Sequence, residues 1–360
     1  MDPFQPGLLQ RIKPPRRVVI VHTGQMGSLL CATPALRSLR AALPRTHISL
    51  MASLTTRHLV DRFPYIDRYI PFPGFPGMDE SQFEPRRTVA FLESMQARRF
   101  DLAVQLQGPE ANSFALLLGA RSTAGFIVAG GDAGCLDAAL PYPGGHAVDR
   151  ALALVEFLGA PRAHTTVEFP LTIEEVSHAA ALLGNAPAPL IGVHAGGRRS
   201  TRRWFPDRFA AAARELQRLH GGTILILGEE VADGDYPAAT RNLAGRTTLG
   251  VLGGVIRRLD LLITNDALPA QIAYALGTPT ITIFGGSDPD VWSARHATAS
   301  RVLAHPVQCR PCRHDVCPVG YLCLDNVHVS DVVNAAGRLL NRYPQPAATP
   351  AASAVSRASN

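Results

Sequence analysis

The sequence contains no long hydrophobic run: nowhere do about 18 apolar residues follow one another, so no transmembrane helix is predicted. The opening residues, MDPFQPGLLQRIKPPRR, lack the apolar core of a secretion signal, and we expect a cytoplasmic protein. The chain has two tryptophans and no basic helix with an aromatic stacking surface, which argues against nucleic-acid binding. It also lacks an HExxH motif, a P-loop lysine and a Ser-His-Asp order, which excludes those catalytic signatures.

Charge is sparse, and almost all of the positive charge is arginine. Charged residues make up 18% of the 360 residues and hydrophobic ones 46%, a balance typical of folded domains. Lys and Arg number 35 against 29 Asp and Glu, which gives a net charge of +6. Arginine suits bidentate contacts with phosphate or carboxylate, but ordinary solvated surface charge accounts for such an excess equally well.

Apolar stretches alternate with amphipathic ones along the chain. Strands are predicted in VVIVHT, HISLMAS and FDLAVQLQG, and again in LIGVHA, GTILILG, LDLLITN and TPTITIFGG. Buried strands separated by helices predict an α/β protein with two units built on parallel sheets. The segment NAPAP (185–189) is typical of a linker between them, and residues 129–145 are predicted to be a loop.

The predicted organisation has five parts along the chain. They are an N-terminal extension (1–15), a first α/β domain (16–184), a second (185–328), a last helix (329–343) and a disordered tail (344–360). Two such domains place a cleft at the carboxyl ends of their strands. The loops expected to face this cleft are 23–28, 107–113, 195–204, 228–233, 265–269 and 285–290.

The stretch RRVVIVHTGQMGSLLCATPALRSLR (16–40) predicts a strand, a glycine loop and a helix. Such a turn suits an anion or a sugar. Yet the loop itself, Gly24, Gln25, Met26, Gly27 and Ser28, carries no acid, no base and no lysine.

The loop HAGGRRSTRRWFPDRF (194–209) follows the first strand of the second unit. Gly196 and Gly197 allow backbone N–H groups to approach a ligand closely, and the arginines at 198, 199, 202 and 203 match the charge of a diphosphate. Pro206 suits the first turn of a helix. We favour phosphate binding here over a solvated basic turn.

Two further motifs follow. Asp266, at the end of a predicted strand, is either the cap of the next helix or an acceptor of hydrogen bonds from a sugar hydroxyl. Cys309, Cys312, Cys317 and Cys323 have the spacing C-x2-C-x4-C-x5-C within segment 309–323. Four thiolates suit a structural zinc or iron ion; reduced thiols or local disulfides are the alternative.

Taken together, these motifs resemble glycosyltransferase family 9, the ADP-heptose:lipopolysaccharide heptosyltransferases. The similar stretches include VVIVHTGQMGSLLCATPALRSLRAALP, FDLAVQLQGPEANS, IGVHAGGRRSTRRWFPDRFA and LLITNDALPAQIAYALGTPTITIFGGSDP, in order over about residues 16–340. The resemblance implies a GT-B fold, in which two Rossmann-like domains face each other across a cleft. It also implies that the last helix packs back on the first domain.

The resemblance also implies an inverting glycosyl transfer. An ADP-sugar donor is held by the second domain and a saccharide acceptor by the first, with no catalytic metal required. The donor-binding residues it predicts are Gly196, Gly197, Arg198, Arg202, Glu230, Asp266, Ala267, Leu268 and Gln271. Peripheral contact with the inner membrane, through an anionic or lipid-linked acceptor, follows only from the resemblance; Arg57, Arg62, Arg86, Arg87, Arg98 and Arg99 are candidate contacts or plain surface charge.

The sequence departs from the family pattern at three positions. Ser28 stands where the family has the aspartate regarded as its base, Leu268 replaces a glycine and Gln271 replaces a histidine. A serine hydroxyl does not accept a proton at neutral pH without its own base. Three hypotheses remain: an active transferase with another base such as Glu110, a non-catalytic relative that binds a nucleotide sugar or a partner transferase, and another two-domain nucleotide-binding protein.

Overall fold

The computed structural model describes residues 2–78, 83–229, 234–294, 299–312 and 314–342. The first half of the chain contains, in the order of the sequence, β1 (Arg17–His22), β2 (His47–Ala52), β3 (Arg68–Pro71), β4 (Leu102–Gln105), β5 (Ser122–Ile127), β6 (Ala138–Pro141) and helices α1 (Leu8–Arg11), α2 (Met26–Ala42), α3 (Arg57–Val60), α4 (Pro85–Gln96), α5 (Asn112–Leu117), α6 (Ala147–Phe157) and α7 (Ile173–Leu183).

The second half continues with β7 (Leu190–His194), β8 (Thr223–Ile226), β9 (Thr240–Asn242), β10 (Leu261–Asn265), β11 (Thr280–Ile283), β12 (Ser300–Leu303) and helices α8 (Pro206–His220), α9 (Leu249–Arg257), α10 (Leu268–Leu276), α11 (Pro289–Trp292), α12 (Leu322–Asp325) and α13 (Val329–Arg342). The structure therefore confirms the predicted α/β class.

The two sheets have the same topology. The first has the order β3-β2-β1-β4-β5-β6, and the second has β12-β11-β10-β7-β8-β9, which is the same order seen from its other end. All of the pairings are parallel. This is the strand order of a Rossmann fold, in which ligands bind where the order reverses. That point lies between β1 and β4 in one half and between β7 and β10 in the other.

Several elements differ from the sequence prediction. Residues 129–145 contain strand β6, and the short strands β9 and β12 and helix α7 were not predicted. The three strands have few residues, and each lies at an edge of its sheet, where the backbone pairs with a neighbouring strand on one side only. Short, weakly patterned segments of this kind gain their structure from the neighbouring strand rather than from local preference.

The two halves share apolar packing. One core cluster contains Leu29 and Leu36 of α2 together with Ile272 and Ala273 of α10. Helix α7 lies before the linker NAPAP in the sequence, yet it packs against α9 of the second half. The chain therefore contacts the second half before it reaches the predicted linker, because α7 already packs there.

In the described part of the chain the last helix, α13, packs on the second half, whereas the family resemblance implies packing on the first. Its buried residues Val332, Ala336 and Leu339 join the core of the second sheet, where α13 lies against α8. The indole N–H of Trp204 donates to the carbonyl of Val327 at 3.0 Å and holds the chain just before the helix. The predicted tail, 344–360, lies outside the described residues.

Helix α9 contacts α7 closely because it presents glycine. A Cβ at Gly254 would lie 2.8 Å from the Cβ of Ala179 and 3.0 Å from the carbonyl oxygen of Glu175. We expect Gly254→Ala to separate the helices and lower the free energy of unfolding by about 1–3 kcal/mol, measured by chemical denaturation. Gly337→Ala in α13 is the matched control, because its Cβ would meet only His220 Nε2 at 3.9 Å; equal effects of the two changes would contradict the packing explanation.

Candidate active site

The donor loop, residues 195–204, leaves β7 and is held at both ends by one side chain. Asn265, the last residue of β10, donates from Nδ2 to the carbonyls of Ala195 and Gly196 at 2.9 and 3.0 Å. Its Oδ1 accepts the backbone N–H of Trp204 at 2.9 Å. Because Asn265 is fully buried, these bonds give the loop a defined shape at the point where the strand order reverses.

Gly196 has no room for a side chain. A Cβ there would lie 2.9 Å from Nε2 of His194, the last residue of β7. His194 Nδ1 lies 3.0 Å from the hydroxyl of Thr264. That hydroxyl donates to the carbonyl of Asn265, so it accepts from His194 Nδ1–H. Nε2 is then an unprotonated acceptor that faces Gly196.

Asp266 lies beside the donor loop and does not cap helix α10. The N-cap residue is Ala267, which forms no side-chain cap hydrogen bond. The carboxylate of Asp266 is 3.7 Å from the guanidinium of Arg202. Burial raises the pKa of Asp266, while Ser287 and the charge of Arg202 lower it. Arg202 and Asp266, predicted from separate motifs, thus form one ion pair at the end of β10.

The four arginines of the donor loop have different surroundings. Arg202 pairs with Asp266, and Arg199 pairs with Asp315 at 3.0 Å. Arg198 and Arg203 are exposed. The sequence predicted one joint phosphate-binding set, whereas the structure sets Arg202 apart from the others by its buried carboxylate partner.

The loop of the first half gathers three polar side chains around Gly24. A Cβ at Gly24 would overlap Ser28 Oγ and would lie 2.9 Å from Gln107 Oε1 and 3.1 Å from His22 Cε1. The Ser28 hydroxyl donates to the carbonyl of Gln25 at 2.8 Å. Neither His22 Nδ1 nor Gln107 Oε1, both buried, has a hydrogen-bond partner among the described residues. Two polar atoms in this condition mark a place where a polar ligand would be favoured.

His22 and Gln107 were not singled out from the sequence. His22 is the last residue of β1, as His194 is the last residue of β7. A histidine that ends the first apolar strand in each half was the available signal. Their convergence with Ser28 depends on the loop after β4, because Gln107 follows that strand.

The remaining residues of the first loop begin helix α2. Gln25 is its N-cap without a side-chain cap hydrogen bond, and Met26 and Gly27 open the first turn, which contains no acidic residue. Glu110, considered as a substitute base, is exposed in a short 3-10 helix. Glu230 lies outside the described residues.

Gln271 connects the two halves. Its Oε1 accepts from Cys31 Sγ at 3.4 Å, and its Nε2 donates to the carbonyl of Trp292 at 2.7 Å. Burial, together with the charge of Asp266, raises the pKa of Cys31 to about 12, so Cys31 stays a thiol donor. Leu268 is partly buried against the shared core. Both replaced positions of the donor motif therefore contribute to packing.

Both strand-end histidines are neutral at pH 7. Burial lowers the pKa of His22 and of His194 from 6.5 to about 4. Between these values the unfolded chain binds more protons than the folded one, so stability falls as the pH falls from about 6.5 to about 4.

We expect each histidine to make the free energy of unfolding about 2 kcal/mol lower at pH 5 than at pH 7. The measurement is urea unfolding at both pH values. In His194→Gln, the difference in free energy of unfolding between the two pH values should shrink by about 2 kcal/mol. In the exposed control His178→Gln, the difference should be unchanged. An unchanged pH dependence in His194→Gln would show that its pKa is not depressed.

The segment 309–323 supports the donor loop. Ser200 Oγ donates to the carbonyl of Asp315, and Thr201 Oγ1 donates to that of His314. Cys309, Cys312, Cys317 and Cys323 border one small cavity. However, no three Cys, His, Asp or Glu side chains of the described chain are placed to hold a metal ion. The structural zinc or iron ion therefore stays a prediction.

The sequence pattern of glycosyltransferase family 9 (heptosyltransferase) matches residues 88–322. The chain belongs to this family. As a member, it is 24% identical to lipopolysaccharide heptosyltransferase 3 of Escherichia coli K12 over 334 residues, which cover 87% of this chain and 95% of that protein.

Solved structures of family members have the same fold. One is a family 9 glycosyltransferase from Veillonella parvula, with a TM-score of 0.76, 21% identity and coverage of 91% of this chain and 98% of that one. Another is an E. coli heptosyltransferase solved with ADP, with a TM-score of 0.63, 19% identity and coverage of 91% and 99%. The structure and these neighbours confirm the GT-B expectation. Within the described residues, no helix is long and apolar enough to cross a membrane.

Proposed function

We propose that this glycosyltransferase moves a heptose or a related sugar from an ADP-sugar to a saccharide acceptor such as the lipopolysaccharide core, with inversion at the anomeric carbon. The observation that carries the proposal is the pairing of Arg202 with buried Asp266 beside the Asn265-held glycine loop. An E. coli relative of the same fold was solved with ADP, which supports a nucleotide diphosphate as the leaving group.

On the donor side, the residues have distinct parts in the proposed reaction. Arg202 neutralises charge on the diphosphate as the bond to the anomeric carbon breaks, and the backbone of Gly196 and Gly197 approaches the phosphates without a side chain between them. Asp266 accepts a hydrogen bond from a donor hydroxyl and orients Arg202. The exposed Arg198 attracts the anionic donor to the loop.

On the acceptor side, we propose His22 as the base in place of the missing aspartate. The acceptor hydroxyl gives its proton to the imidazole, its oxygen forms the new bond to the anomeric carbon, and the electron pair of the broken bond leaves with ADP. The Ser28 hydroxyl already donates to Gln25, so its lone pairs are available to the acceptor. A neutral imidazole of pKa about 4 is about as basic as the carboxylate it would replace.

The alternative function is that of a non-catalytic relative that binds a nucleotide sugar or a partner transferase. Ser28 favours it, because this position carries no proton acceptor. Incubating the full chain with ADP-heptose and other nucleotide sugars, with and without a lipopolysaccharide acceptor, separates the two. Release of ADP that depends on the acceptor supports transfer; tight binding of ADP without any turnover supports the alternative.

Location and acceptor class complete the proposal. We propose a cytoplasmic enzyme that meets an anionic or lipid-linked acceptor at the inner membrane. Among the arginines considered for this contact, Arg62 is bound to Glu175 and to the carbonyl of Pro170, so it serves the fold. The proposed reaction requires no metal; a structural zinc or iron in segment 309–323 stays a prediction, which elemental analysis of the purified protein tests.

A further inference from the structure

A basic cavity lies at the amino ends of the first three strands, away from the candidate active site. This amino-edge pocket is lined by Arg17, His47, Ser49, Arg68, Arg98 and Phe100 and has a volume of about 430 Å³. The strand register sets Arg17 beside His47 and Ser49 beside Arg68. Since β1 runs from Arg17 to His22, the pocket is about 17 Å from the polar cluster at Gly24.

The arginines of this pocket have no carboxylate partner among the described residues. Within the described chain, Arg17, Arg68 and Arg98 form no ion pair. Two acids lie at the same edge, but their carboxylates are engaged elsewhere. Asp67 pairs with Arg40 and accepts from the N–H of Ile48, and Asp101 accepts from two backbone N–H groups and pairs with Arg121.

Arg98 is the least exposed of the three arginines, since Arg17 and Arg68 reach solvent. Arg98 is half-buried, its Nε has no hydrogen-bond partner in the described chain, and its backbone carbonyl accepts from Arg17 at 2.8 Å. Burial, and then the positive charge of Arg68, lowers the pKa of Arg98. The positive charges that line one cavity repel one another, and an anion bound among them would be attracted to all three.

We propose that the amino-edge pocket is a binding site for a phosphomonoester or diphosphate group, separate from the donor site. Guanidinium groups bind phosphate oxygens in pairs, and His47 and Ser49 add hydrogen-bonding groups of smaller size. The volume lies within the range of ligand pockets. The phosphate belongs either to a soluble compound or to the headgroup of a lipid.

Binding of phosphate probes to the full chain tests this site. All proteins carry Arg202→Gln, so that the donor loop does not hold the probe. One arm titrates inorganic pyrophosphate by calorimetry, and the other measures sedimentation with phosphatidylcholine vesicles that contain phosphatidic acid, against vesicles of phosphatidylcholine alone. We expect Arg68→Gln combined with Arg98→Gln to weaken binding by about tenfold or more.

The matched control combines Arg257→Gln with Arg258→Gln, which removes the same charge from two exposed arginines of the second half. It should bind like its parent. Loss in the pyrophosphate arm identifies a soluble ligand, and loss only in the vesicle arm identifies a lipid headgroup. Absence of binding in both arms, or equal weakening by the test and control pairs, overturns the proposal. Thermal melts of both double variants establish that they are folded.

Discussion

Replacing Arg202 with glutamine is expected to lower the rate of sugar transfer by about 10²- to 10³-fold, the usual cost of losing one group that stabilises developing charge. Its guanidinium lies 3.7 Å from Asp266 at the end of β10, and the departing diphosphate gains negative charge as the glycosidic bond breaks. Because that charge is larger in the transition state than in the bound donor, kcat should fall more than affinity for the donor. Steady-state kinetics with ADP-heptose provides the measurement.

Two variants make the Arg202 result specific. Arg202→Lys keeps the positive charge and should retain most of the activity, as it loses only the second hydrogen bond of the guanidinium. Arg203→Gln removes a neighbouring exposed arginine of the same loop and should behave like the unaltered enzyme. If Arg202→Gln and Arg203→Gln had the same small effect, Arg202 would not act on the diphosphate.

Replacing His22 with glutamine is expected to lower kcat by about 10²- to 10⁴-fold, the contribution of a general base. His22 borders the same point above Gly24 as Ser28 Oγ and Gln107 Oε1. Adding Ser28→Asp to His22→Gln should recover part of the activity, because an aspartate at position 28 supplies a new proton acceptor. Ser28→Asn in the same background should recover none.

The pH profile and the single variant complete this test. With a base of pKa about 4, kcat of the unaltered enzyme should not change above about pH 6. Ser28→Asp alone should change kcat little if His22 already serves as base. Full activity of a folded His22→Gln protein would assign the base elsewhere, and a large gain from Ser28→Asp alone would mean that the natural chain has lost its base.

The sequence singled out more of the residues proposed for the donor side than of those proposed for the acceptor side. Gly196, Gly197 and Arg202 follow a long apolar strand and Asp266 follows another, so local pattern was sufficient to find them. His22 had one weak local signal, a histidine at the end of the first strand of each half, and Gln107 had none. Only the adjacency of β1 and β4 in the sheet brings them around Gly24.

Long-range packing also set the surroundings of Gln271 and of helix α13. Contact of Gln271 with the donor stays a prediction; the structure shows its amide bonded to Cys31 of the first half and to Trp292. Helix α13 was expected on the first half, but its apolar face completes the core beside α8. The surroundings of Gln271 and of α13 depend on which other part of the chain packs against them. The periodicity of a sequence predicts the apolar face of a helix, but not the surface that this face will contact.

Contiguous residues were enough to predict the α/β class, the two strand-turn-helix series, the family and the glycine and arginine loop that follows β7, because each is a local pattern. Only the folded chain shows which arginine faces the buried Asp266, which imidazole lies beside Ser28, and where three arginines without an ion pair in the described chain meet at the amino edge. These features join residues from separate strands, and parallel strand pairing brings such residues together only after folding.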